Sequence, residues 1–286
     1  MAAGERLDFS GDSNSSSGLI EIIGGEIEFD GGLTNQGGSP PGFIEARNAT
    51  MRFGSGSGLT NNGSVGISFG TTDVFGDVAN TGSFTSSGNS NTTFWDDVTN
   101  NGTMTVSTGS TAVFFGTLTG TGVGGAGIVF MEGDLRPGAS PGIMNFGGDV
   151  IFGPSASAEI ELAGLVAGSG HDQVNVAGDL SADGALDVVL QGGFDPALAD
   201  TFDIFTYSSI NGAFDINLPM LNPGLDWMTN IGAGGLTLTV IPEPSMLSVI
   251  GVGMLGMLRR RRAVQARKSK MESRIESKRR RTNDLE

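Results

Sequence analysis

The chain has 286 residues, no cysteine and one histidine, which excludes a disulfide framework, thiolate metal sites, a cysteine nucleophile and multi-histidine metal centres. Glycine supplies 48 positions, more than twice the usual share of about 7%, without the every-third spacing of collagen. The formal charge of −15 is unevenly spread: up to Leu258 the only basic residues are Arg6, Arg47, Arg52 and Arg136, against 27 carboxylates, whereas residues 259–286 hold 12 lysines and arginines. An acidic body of this kind repels nucleic acid and anionic lipid alike, so no nucleic-acid partner is expected.

Residues 1–134 carry a repeat. The phrase Leu33–Gly37 (LTNQG) returns as Leu59–Gly63 (LTNNG), Val78–Gly82 (VANTG), Val98–Gly102 (VTNNG) and Leu118–Gly122 (LTGTG), with the last four closing glycines 19, 20 and 20 residues apart. Two apolar columns keep the same phase: Phe75, Trp95 and Phe115, and Val65, Phe84 and Met104. A unit of two or three short alternating stretches, such as Ser64–Phe69 and Thr103–Ser107, is too small to bury its own apolar face. Stacking units about 4.8 Å apart gives every strand a parallel neighbour. The Phe, Val and Met columns are then expected to fill the interior. The asparagines are expected to ladder at the turns, where they tolerate positive φ and pair through their amides. This arithmetic predicts an all-β, right-handed parallel β-helix (solenoid) with coils of about 20 residues, followed by a single C-terminal hydrophobic helix. A β-sandwich is the competing architecture, but it has no reason to hold columns at a fixed interval.

Residues 135–240 read as a continuing β-rich solenoid or capping segment. Leu135–Gly142 (LRPGASPG) reads as a double turn, each proline presetting φ before a glycine. Alternation then predicts strands at Gly142–Phe152, Ala158–Leu162, Asp172–Val176, Ala185–Leu190, Thr201–Tyr207, Ala213–Asn217 and Gly235–Val240.

Residues 241–262 contain Pro242, Glu243 and Pro244, then an apolar run, then Arg259, Arg260, Arg261 and Arg262. This order resembles the PEP-CTERM sorting signal of Gram-negative bacteria. The resemblance implies a sorting motif at Pro242–Glu243–Pro244 that is recognised by an exosortase, a membrane-embedded enzyme. It also implies a short membrane helix, built on Ser245, Met246, Leu247, Val249, Ile250, Val252, Met254, Leu255, Met257 and Leu258 and contacting lipid. The run Ser245–Leu258 falls short of the roughly 20 residues that cross a bilayer comfortably, and the arginines after it favour the cytoplasmic side. The acidic body would then lie outside. The competing account is an ordinary buried helix followed by a solvated charge run. Leu135–Val240 also resembles the segment that often precedes this signal and parts of autotransporter passenger domains, through Arg136–Gly142, His171–Gly178 (HDQVNVAG), Gly184–Leu190 and Asp200–Phe205. Two features depart from the pattern. The first nine residues contain no apolar leader, so translation starts upstream, the chain is a fragment, or it is not exported. A basic tail, 263–286, also extends past the arginines; it reads as a frayed, solvated cytoplasmic tail, the alternative being a basic helix over Ala263–Arg281 that contacts anionic headgroups.

The chemistry of the body points away from catalysis. His171 beside Asp172 could be half of a dyad, but a turn opening a strand accounts for it. Its neighbourhood Gly168–Val174 matches only one copy of a calcium-binding nonapeptide that works in tandem. Asp96–Asp97 is the one adjacent carboxylate pair in the repeats, and solenoid glycosidases use paired carboxylates. The Gly-His-Gly and Arg-Ile-Lys elements of polygalacturonases are absent, and Arg47 and Arg52 lack the Asp cluster that pectate lyases need. Phe94–Trp95 and Phe114–Phe115 could stack on sugars, although one of each pair must point inward. Gly124–Gly127 (GGAG) lacks the Lys-Ser/Thr of a phosphate loop. No cofactor, metal or catalytic residue is assigned. The expectation is a non-enzymatic surface or extracellular-matrix protein, membrane-anchored by its C-terminal helix during export and then displayed, sorted by an exosortase and associated with exopolysaccharide. The alternatives are a polysaccharide-binding or polysaccharide-cleaving β-helix, and a calcium-stiffened adhesin.

Overall fold

The computed structural model describes residues 5–244 apart from 11–13, 55–57 and 139. The expected membrane helix, arginine cluster and basic tail lie outside these residues. The chain divides into two units, residues 1–221 with 227–240, and residues 222–226 with those from 241 onward. Among the described residues every assigned element is a β-strand, and no helix is long and apolar enough to cross a membrane.

The first unit is a parallel β-solenoid built from three sheets. The main path of a thirteen-stranded sheet runs Arg6–Phe9, Glu26–Phe29, Thr50–Phe53, Ser64–Phe75, Ser83–Phe94, Thr111–Phe114, Ile128–Met131, Asp149–Phe152, Asp179–Ala182 and Ser209–Gly212. A ten-stranded sheet begins at Asn14–Ser16, takes in the repeated phrase at Leu33–Asn35, Leu59–Asn61, Val78–Asn80, Val98–Asn100 and Leu118–Gly120, and ends at Asp215–Asn217. A six-stranded sheet opens only at Gly122–Val123.

Register explains the repeat. Val78 sits opposite Leu59 and Val98, and Val98 opposite Leu118, so equivalent side chains stack along the coils. All four are at most 2% exposed. The column Ile44, Val65, Phe84, Met104 is likewise in register and buried, and Phe94 stacks on Phe114 with centroids 4.9 Å apart. Each such side chain removed from water contributes about 1.5–3 kcal/mol, which a lone unit could not collect.

The other apolar column lies elsewhere. Phe75, Trp95 and Phe115 are in register but face outward, Trp95 being 42% and Phe115 44% exposed. Each follows an inward residue (Val74, Phe94, Phe114), and strand alternation can bury only one of two neighbours. The expectation that this Phe column fills the interior is therefore corrected.

Coil length is not uniform. The partners Leu59, Val78, Val98 and Leu118 keep a spacing of 19 or 20 residues. Further on, Val150 pairs with Leu180, Leu186 with Ile216 and Val174 with Phe205, intervals of 30 or 31. The added residues form the six-stranded side. Coils of about 20 thus hold from Leu59 to Leu118, the interval from Leu33 to Leu59 being 26. Within the Leu59–Leu118 stretch, Ser64–Phe75 and Ser83–Phe94 are continuous 12-residue strands rather than pairs of short ones. They bend at residues of positive φ, Phe69 and Gly70 in one, Gly88 and Asn89 in the other.

Beyond Gly122 the predicted strands are found with shifted edges. Gly142–Phe152 is two strands, Ile143–Phe146 and Asp149–Phe152, and Leu135 and Arg136 belong to strand Asp134–Pro137, so the double turn starts later than expected. Parallel stacking ends where Gly235–Pro242 adds antiparallel to Thr201–Thr206. Around this end Phe202 meets Trp227 at 5.9 Å, the indole N–H bonds to the Pro219 carbonyl at 2.9 Å, and the Tyr207 hydroxyl donates to the Gly235 carbonyl at 2.8 Å. An antiparallel strand offers no continuation of the coil register, so it closes the stack.

Candidate functional site

The residues that resemble a sorting motif follow directly from that closing strand. Along Gly235–Pro242, Leu236, Leu238 and Val240 point inward and are at most 1% exposed. Val240 is tied at both main-chain groups, its N–H to the Asp200 carbonyl and its carbonyl to the Ala199 N–H, each at 2.9 Å. Pro242 has no N–H to give, and the strand ends on it.

In the second unit Glu243 is paired with Gly224. The Glu243 N–H donates to the Gly224 carbonyl at 3.0 Å, and the Glu243 carboxylate accepts the Gly224 N–H at 3.2 Å. Gly224 has φ +91, a region open to glycine and strained for other residues. Sequence reasoning missed Gly224. The dipeptides Asn222-Pro223 and Pro223-Gly224 mark a turn, but nothing in them says what that turn touches. Of the motif residues, Pro242, Glu243 and Pro244 are described; Ser245 to Arg262 lie outside the described residues.

The remaining candidates sit in the first unit, away from one another. His171 is 3% exposed and packs its ring edge-on to Phe202 at 5.4 Å. Neither ring nitrogen has a hydrogen-bond partner. Burial lowers its pKa, and the Gly164 and Asp203 main chains, facing the ring outside hydrogen-bond geometry, offset this in part. The adjacent Asp172 carboxylate accepts the Gly142 N–H at 2.6 Å and the Glu161 N–H at 2.8 Å. Burial pushes its carboxyl up to about 6 against the pull of those two bonds. Asp172 thus clamps two neighbouring stretches of chain, the work of a structural residue at the start of a strand.

Asp96 and Asp97 are also engaged by the backbone. Asp96 accepts the Gly76 N–H and Asp97 the Thr117 N–H, each at 2.7 Å, and the Asp97 N–H reaches Asp77 at 3.3 Å. These are turn carboxylates bridging coils. Among the described residues no cluster of three or more His, Asp or Glu side chains could hold a metal ion.

The outward aromatic column forms a continuous stack. Phe75 and Trp95 lie 5.6 Å apart and Trp95 and Phe115 4.6 Å apart, with interplanar angles of 2° and 4°. Arg52, ion-paired with Glu26, covers Phe75 at 4.0 Å from its centroid, and the Trp95 N–H donates to Asp73 at 3.1 Å. Trp95 spends both faces on its neighbours and Phe75 its two on Trp95 and Arg52, whereas sugar stacking needs a free face. A groove of about 340 Å³ beside the column is lined by Glu28, Arg52, Phe75, Asp77 and Asp96 among others.

The third ladder is buried. Asn35 donates through its amide to Asn61, Asn61 to Asn80 and Asn80 to Asn100, each at 2.7 Å, and Asn100 finishes on the Gly122 carbonyl at 2.7 Å. The ladder is as expected, but its location is not: these asparagines are inward-facing strand residues at most 1% exposed, and none has positive φ. It stops at Gly120, the register partner of Asn100, where a Cβ would lie 1.9 Å from the Asn100 carbonyl oxygen.

In comparison with known proteins, no curated protein matches the chain. One family model does, over residues 240–262, described as the PEP-CTERM protein-sorting motif. Such a signal implies processing by an exosortase and export to the cell envelope or surface. The chain combines a β-solenoid with a PEP-CTERM sorting motif at residues 240–262.

Proposed function

We propose that the protein is a non-enzymatic component of the cell surface or extracellular matrix, delivered through its C-terminal signal and associated there with exopolysaccharide. The observation that carries this reading is the coupling of the sorting motif to a scaffold whose polar and aromatic groups are spent on holding neighbouring coils together. Asp96 and Asp97, the carboxylates best placed by sequence for glycan chemistry, bond main-chain N–H groups of adjacent coils. During export the Ser245–Leu258 run serves as the membrane helix, with Arg259–Arg262 on the cytoplasmic side. Contact with polysaccharide runs along the groove flanked by Arg52, Asp77 and Asp96, by hydrogen bonds rather than ring stacking.

Replacing Pro242, Glu243 and Pro244 by alanine tests the sorting part: membrane retention and processing are expected to be lost, and unchanged behaviour refutes it. Incubation with the host's exopolysaccharide tests the rest. Co-sedimentation without cleavage is expected, and cleavage that disappears in Asp96→Ala refutes the non-enzymatic reading.

A further inference from the structure

A Pro-Glu-Pro tripeptide offers a recognising enzyme few handles. Its prolines have no N–H, so the Glu243 amide is its one main-chain donor and the Glu243 carboxylate its one charge. Gly224 engages both: its carbonyl accepts from the amide at 3.0 Å, and its N–H donates to the carboxylate at 3.2 Å. The pairing depends on the left-handed conformation of Gly224, φ +91, which turns its N–H and its carbonyl toward the same neighbour. Asn222, two residues earlier, closes the turn by accepting the Leu225 N–H at 3.1 Å through its carbonyl.

We propose that Gly224 is a latch on the sorting motif: while its two bonds to Glu243 are closed the tripeptide is withheld, and an exosortase takes it only after they open. This rests on the sorting reading above and adds a control residue outside the motif. An enzyme that binds the extended tripeptide must replace both bonds, one of them to a charged group. Its apparent affinity then falls in proportion to the closed population. Gly224 does not touch the reacting bond; it positions Glu243.

The test uses the full chain in its host. Gly224→Pro removes the donor and forbids φ +91, and Gly224→Ala strains the same conformation while keeping the N–H. Gly234→Ala, at a glycine of φ +107 in the turn before Gly235–Pro242, is the control for strain that does not touch the motif. Expected are processing about tenfold faster in Gly224→Pro and about threefold faster in Gly224→Ala, with Gly234→Ala at the wild-type rate. Hydrogen exchange at the Glu243 amide, the tripeptide's only exchangeable main-chain site, is expected to be at least tenfold slower than in a free peptide and to accelerate in both Gly224 variants. Wild-type exchange at the free-peptide rate overturns the latch, as does processing that stays level or slows once Glu243 exchange has sped up. Should Gly224→Pro not accumulate folded, Gly224→Ala decides the matter by the same two measurements. Glu243→Ala separates the two ideas: unchanged processing in that variant refutes the sorting role, whereas exchange at Glu243 in the wild type judges the latch geometry on its own.

Discussion

Asn80 is the place where one substitution should cost most for its size. It accepts the Asn61 amide, donates to Asn100 at 2.7 Å and donates its second hydrogen to the Thr103 carbonyl at 3.2 Å, all in a fully buried column. Asn80→Ala strands a donor on Asn61 and an acceptor on Asn100, and takes a donor from the Thr103 carbonyl. Each buried group left unpaired costs about 1–3 kcal/mol, so the total is expected near 3–4 kcal/mol by this ladder arithmetic. Asn35→Ala at the upper end should cost less. The Asn35 carbonyl oxygen already has no partner, so this change takes a donor from Asn61 and from the Ser64 carbonyl but strands no amide donor. Asn101→Ala alters the neighbouring, exposed asparagine of the same repeated phrase and is expected to stay within about 0.5 kcal/mol of wild type. Urea unfolding followed by tryptophan fluorescence gives all three differences. Equal losses for Asn80 and Asn101, or for Asn80 and Asn35, would refute the view that the interior amides act as a chain.

Three further outcomes are expected. Trp95→Ala removes two ring stacks and an indole hydrogen bond and should lower stability by about 2–3 kcal/mol, with Trp95→Phe retaining most of it; a loss under about 0.5 kcal/mol would show the outer column to be ornamental. Ser16 pairs in register with Asn35, so Ser16→Asn should supply the missing donor and raise stability by about 1 kcal/mol, seen as a higher melting temperature; a lower one refutes the register argument. Asp172, raised to about 6 in the folded chain from an ordinary 3.8, binds its proton more tightly folded than unfolded. Its stabilising contribution is complete below pH 3.8 and lost as pH rises through 6. His171 is lowered and acts in the opposite sense, its share disappearing on acidification below its ordinary pKa of 6.5. Melting temperature against pH should therefore show the wild type gaining on Asp172→Asn between pH 6 and 4, and parallel curves would contradict the burial of a proton-binding carboxyl there.

The stacking itself was legible because the interval between Val78, Val98 and Leu118 is a physical coil length, and one residue type per column survives any uncertainty about edges. Which side a column faces was not. Phe94 and Trp95 are both large and apolar, and a 20-residue period is satisfied equally by inward and outward ladders. The asparagines announced a ladder but not its depth, since the same residue suits a turn and a buried amide chain. The widening to 30-residue coils left no trace in the repeated phrase, which dissolves after Gly122 where the six-stranded side begins. Pro242–Glu243–Pro244 could be read directly. Its partner Gly224 could not, because a glycine in a turn declares a conformation and never a contact.

The amide chain from Asn35 to Gly122 has a direction: Asn35 only gives, each asparagine after it receives on one side and gives on the other, and a main-chain carbonyl absorbs the last hydrogen. Removing or duplicating one 20-residue unit between Val78 and Gly120 therefore leaves each flanking amide facing the same chemistry as before. Length can change by whole units through recombination within the gene while the closing strand and the signal beyond it go undisturbed. Span and address are separately adjustable in this chain.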